Sequence, residues 1–171
     1  MALVTEDKAA WLALAFRTAL PAAEAARIAF GEGPKPSDFP PTVIENEVKD
    51  LNALDALGVR VITVKDPEFP GKLKGDDGPY VLQVAGRVGL LGEGGVKWIA
   101  GQRPLGEALD RGDRVVVVLS KGLLHAKTLL RQLHEALEDG QVALVSAEAP
   151  RASWGPLRDK RRDELVQRAS A

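Results

Sequence analysis

Cysteine is absent, so the chain has no disulfide, no thiolate metal ligand and no cysteine nucleophile. Histidine is nearly absent. His125 and His134 are the only two, which excludes a multi-histidine metal centre. An excess of one charge sign is missing as well: 23 Lys and Arg stand against 24 Asp and Glu, a net charge of -1. That balance excludes a generally basic, histone-like nucleic-acid binder but leaves room for a local basic patch. No stretch approaches about 18 consecutive apolar residues, and the N-terminus has no basic region followed by an apolar run. The sequence therefore predicts no membrane span and no membrane partner, and reads as soluble and cytoplasmic.

What is present is enough to fold. Of 171 residues, 45% are hydrophobic, which suits one domain, or one domain with a small helical appendage. The charge is uneven along the chain. Residues 1–75 carry -2, residues 76–150 carry -2 and residues 151–171 carry +3. The basic tail holds Arg151, Arg158, Lys160, Arg161, Arg162 and Arg168. It reads as a solvated C-terminal helix whose acids pair with those bases, or as a patch for phosphates.

Periodicity divides the chain into three parts. Residues 1–57 form a helical module, with helices over Glu6 to Arg17, from Pro21 through Glu24 to Phe30, and from Val43 to Leu57. Ala10, Trp11, Leu14 and Ala15 recur at helical spacing in the first, and GEGPKPSDFPP (31–41) is a loop. Residues 58–150 alternate strand and helix. Strands are expected at Val59 to Val64, Tyr80 to Val84, Val96 to Ala100, Arg114 to Leu119 and Gln141 to Val145. A helix expected at Leu123 to Glu138 gives the last two strands the shape of a parallel βαβ unit, and a shorter helix, Leu105 to Asp110, joins the third and fourth strands. The prediction is an α/β domain with a truncated Rossmann-like, mostly parallel sheet of about five strands. Residues 151–171 would add a basic C-terminal helix.

Ligands of open parallel sheets sit outside the carboxyl ends of the strands, and two such ends carry suitable residues. After the third strand, Gly101 lets backbone approach closely, the next amides, beside Gln102, open a helix N-terminus, and Arg103 offers a guanidinium for phosphate. After the fourth, Ser120, Lys121 and Gly122 offer a hydroxyl, a cation and permissive backbone, followed by Lys127. Each loop also suits an ordinary turn with solvated cations. Together they describe an anion cradle for nucleotide or nucleic-acid phosphate. Further contacts to DNA would come from Trp154, which could stack on a base, and from Arg158, Arg161 and Arg162.

Other motifs fail. Gly101 and Gly106 have the glycine spacing of a P-loop, but Glu107-Ala108 replaces its Lys-Ser/Thr, and no G-x-G-x-x-G follows a strand. No cofactor and no metal are expected. Glu148, just past the fifth strand, is the one carboxylate placed for acid–base chemistry.

Several segments resemble the DprA/Smf (DNA-processing protein A) family. Leu57 to Lys74, LGVRVITVKDPEFPGKLK, is similar to the segment that leads into that family's Rossmann-like domain, with Phe69-Pro70 in place of Tyr-Pro. Gly78 to Gly86, GPYVLQVAG, resembles the segment after it. Val96 to Pro104, VKWIAGQRP, resembles the strand and turn written VAIVGSR, with Gln102 for Ser. Beyond Arg103 two alignments stay open. On one, Leu119 to Gly122 is a remnant of the family's second glycine-rich turn; on the other, Val115 to Gly122 and Ala143 to Pro150 match later strands, with Arg158 to Val166 on a following helix. The second alignment puts two blocks in register and shortens the sheet.

The resemblance implies a non-catalytic protein that binds single-stranded DNA at a positive pocket, forms a homodimer and assists RecA recombinase in recombination and natural transformation. It implies that Gly101 and Arg103 belong to the phosphate-gripping turn. A nucleotide or nucleotide-sugar enzyme using Glu148 is the alternative, and a scaffold without a pocket is a third reading.

Overall fold

A computed structural model gives the fold and describes residues 5–17, 20–73, 79–93, 96–119 and 127–147, with backbone alone for 72 and 127–130. Three helices come first: α1 (Thr5–Phe16), α2 (Ala22–Phe30) and α3 (Pro41–Ala56). α3 begins two residues ahead of Val43 because Pro41 occupies the first turn, where a missing N–H leaves no bond unmade. α1 departs from the one-faced expectation. Ala9 to Leu14 are all buried, six in a row and more than one turn, so this helix is covered all round. It packs on α3, touches α2 and reaches the sheet at its second strand. The buried Glu47 of α3 accepts a 2.8 Å hydrogen bond from Arg17 Nε, which ties the end of α1 to α3. The carboxylate also holds the Arg17 guanidinium more firmly protonated, first by that hydrogen bond and then by charge.

The five expected strands are present: β1 (Val59–Thr63), β2 (Val81–Gly86), β3 (Lys97–Ile99), β4 (Val115–Val118) and β5 (Val142–Ser146). They make one sheet in the order β1-β2-β5-β4-β3. β3, β4 and β5 are parallel neighbours, whereas β2 runs antiparallel to both β1 and β5. The sheet is therefore mixed, with two of its four pairings antiparallel, and the expectation of a mostly parallel sheet is corrected. The cause is the link from β1 to β2. A parallel neighbour needs a long crossover, usually helical, and among the described residues of that link only Gly71–Leu73 form a short 3-10 turn.

Two helices accompany the parallel strands. α4 (Gln102–Arg111) joins β3 to β4, and α5 (Lys127–Glu138) precedes β5. α4 starts three residues ahead of the expected Leu105, because Pro104 stands in its first turn and interrupts no intrahelical bond there. α4 and α5 touch, with Gln132 Nε2 donating to Asp110 Oδ1 at 3.1 Å, and α5 lies against β5 and β2. All five residues of β5 are buried, which requires cover on both faces because successive side chains alternate. One apolar cluster runs from Ala9 and Leu12 through Ile62, Val84 and Leu105 to Leu133 and Leu144. Among the described residues no helix is long and apolar enough to cross a membrane.

Candidate functional site

Because β2 is the one reversed strand, β1, β3, β4 and β5 all end on the same edge of the sheet. Gly101 leaves β3 there with φ 98° and ψ 153° and caps α4. That conformation belongs almost exclusively to glycine. A Cβ at this position would meet nothing closer than Pro104 Cδ at 3.7 Å, so torsion, not crowding, demands the residue. The first turn of α4 then presents the amides of Gln102 and Arg103 at the strand end, since Pro104 has none and Leu105 N donates to Gly101 O. Gln102 and Arg103 are both exposed. The Arg103 side chain is 92% exposed, and its Nε lies 3.7 Å from Glu107 Oε1 one turn along.

Of the other expected site residues, Ser120, Lys121 and Gly122 lie outside the described residues, as do Glu148, Trp154, Arg158, Arg161 and Arg162. Lys127 is the first residue of α5, described by its backbone alone. Since β5 runs parallel to β4, α5 must return from the carboxyl edge to the opposite one, so Lys127 starts toward the Gly101 side. Among the described residues the structure thus assembles Gly101, Gln102 and Arg103 as one continuous turn.

The same edge has polar groups that sequence reasoning missed. Thr63, Gln83 and Ser146 are buried, and Gln83 pairs directly with Ser146 across β2 and β5. At the end of β1, Asp66 Oδ2 accepts from Thr63 N at 2.7 Å, and Thr63 Oγ1 accepts from Lys65 N at 3.2 Å. Lys65 Nζ in turn donates to the carbonyl of Gly31 at 2.5 Å, joining this edge to the helical module. Burial pushes the Tyr80 phenol, just before β2, above its ordinary pKa. The available signal was a lone glutamine inside an apolar strand, VLQVA.

Two further residues emerge only from the fold. Arg87 follows β2 and Arg114 precedes β4, and both reach the carboxylate of Glu93, at 4.0 and 3.3 Å. Trp98, in edge strand β3, is half-buried against the core and lines a cleft of about 590 Å³ together with Phe69 and Glu93. Among the described residues no cluster of three or more His, Asp or Glu side chains could hold a metal ion. No family model matches this sequence, and no curated protein matches it at a significant level.

Proposed function

We propose that the protein is a non-catalytic binder of single-stranded DNA, built on a shortened Rossmann-like sheet and related to the DprA/Smf family it resembles. The observation that carries this reading is the glycine-opened start of α4 at the carboxyl edge, with Arg103 exposed beside it. Backbone amides at a helix start and a mobile guanidinium are what a phosphodiester needs. The exposed contact to Glu107 at 3.7 Å is weak enough to give way to a phosphate. The three segments that resemble the family fall on β1 and its following turn, on β2, and on the β3–α4 junction, in the same order. A homodimer and a contact to RecA recombinase belong to the same proposal.

The test is fluorescence anisotropy of labelled oligo-dT, titrated at two ionic strengths. Affinity is expected to fall as salt rises, because each phosphate contact releases counterions. Arg103→Ala should weaken binding roughly three- to tenfold, as expected for the loss of one exposed cation–phosphate contact. Binding that ignores salt, or no binding at all, overturns the proposal.

A further inference from the structure

The opposite edge of the sheet carries a second arrangement, independent of the one at Gly101. β2 leaves the sheet there, and β4 and β5 enter it. Arg87 N donates to Val142 O at 3.3 Å, and Val115 N donates to Gln141 O at 3.2 Å, so Arg87 and Arg114 flank the start of β5. Their guanidiniums converge on one carboxylate. Arg87 Nη2 stands 4.0 Å from Glu93 Oε1, and Arg114 Nη1 stands 3.3 Å from Glu93 Oε2. Arg87 directly follows β2 and Arg114 directly precedes β4, while Glu93 comes directly after the 3-10 turn Val88–Gly92 whose Leu90 and Leu91 are buried. The arginine side chains are 53% and 54% exposed and that of Glu93 is 34% exposed, so solvent reaches all three. Glu93 also lines the cleft of about 590 Å³ whose walls include Phe69, Pro70, Leu91 and the half-buried Trp98.

We infer that this is a nucleoside 5′-monophosphate site, with the phosphate held by Arg87 and Arg114 and the base in the Trp98 cleft. Glu93 occupies the phosphate position in the unliganded protein as an internal competitor. One carboxylate supplies a single negative charge to two guanidiniums. A phosphomonoester supplies between one and two charges at neutral pH, and three terminal oxygens suited to two planar forks. Solvent-exposed ion pairs are weak, so the internal carboxylate can be displaced. The cleft beside it is large enough for a nucleobase and offers an indole against which a flat ring can pack. Arg111 is engaged elsewhere, its Nε 2.9 Å from Asp113 Oδ2.

The chemistry is that of a nucleotide phosphomonoester, whether from a free mononucleotide or from the phosphorylated 5′ end of a strand. The test is isothermal titration calorimetry of the full chain with AMP, with adenosine as the phosphate-free control. AMP should bind and adenosine should bind at least about tenfold more weakly, the loss of a charge-assisted phosphate contact. Glu93→Gln, which keeps the shape and removes the charge, should tighten AMP roughly three- to tenfold by removing the competitor. Arg114→Ala and Arg87→Ala should each weaken it by a similar factor, and Arg114→Lys should restore only part of the loss. Arg103→Ala should leave AMP affinity unchanged, which separates this site from the DNA-binding proposal. In the Glu93→Gln protein, preference for 5′-phosphorylated over 5′-hydroxyl oligo-dT assigns the site to strand ends. Equal binding of the two oligomers, with AMP still bound, assigns it to free nucleotides. No AMP binding to wild type or Glu93→Gln, or a Glu93→Gln protein that binds AMP less tightly, overturns the inference.

Discussion

Gly86 and Gly101 both hold backbone that an L side chain resists, for different reasons. At Gly86, φ is 89°, and a Cβ would fall 2.5 Å from Val142 O and 2.7 Å from Leu137 Cδ2. At Gly101 the torsion alone is unfavourable and the space is open. Gly86→Ala should therefore cost about 3–5 kcal/mol, torsion plus overpacking, and Gly101→Ala only about 1–3 kcal/mol. Urea unfolding of the two variants checks the order. Gly101 was legible from sequence because a glycine between an apolar strand and a helix start has a local reason to be there. The crowding at Gly86 was not, because the obstructing atoms belong to β5 and α5, far along the chain. Thr63 and Ser146 were illegible for the same kind of reason: their burial depends on which strands become neighbours. Arg87, Glu93 and Arg114 meet only once β2, β5 and β4 lie side by side.

Elements were easier to read than their directions. The unbroken valines of β4 suit a strand buried on both faces, and Val115 to Val117 are buried while Val118 at its end is exposed. Pro104 misled in the other direction, since a proline that breaks a helix interior is harmless in a first turn. The orientation of β2 left no trace in periodicity, because an alternating pattern is the same in either direction. Its first contact with the helical module is testable. The Tyr80 hydroxyl donates to Leu14 O at 3.5 Å, joining the start of β2 to α1. Burial disfavours its phenolate, so the folded pKa lies above the unfolded one, near 10. Stability should be unaffected by this group below the unfolded pKa and should fall as pH rises from there through the folded value. Tyr80 is the only tyrosine, so tyrosinate absorbance reports it alone. Its titration midpoint should be higher in the native protein than in urea, and Tyr80→Phe should remove the alkaline loss of stability.

At the scale of the whole molecule, the helical module and the sheet share one apolar core. Leu12, fully buried in α1, belongs to the same cluster as Leu144 in β5. Leu12→Ala should cost about 2–5 kcal/mol through the lost side chain and the cavity left behind. If the core is cooperative, amide protection should fall in β5 as well as in α1, as hydrogen-exchange mass spectrometry can show. A module that opened alone would leave β5 protection unchanged.

The position of β2 also bears on how the chain comes off the ribosome. β2 is flanked by β1, made before it, and by β5, the last of the five strands to be synthesised. Until β5 emerges, a nascent hairpin of β1 and β2 carries a row of unsatisfied amides and carbonyls along one side, open to any passing extended peptide. Closing that gap needs contacts between distant parts of the chain, which slows folding. During biosynthesis this interval is when the chain is most exposed to misassociation, and when a holding chaperone would help it most.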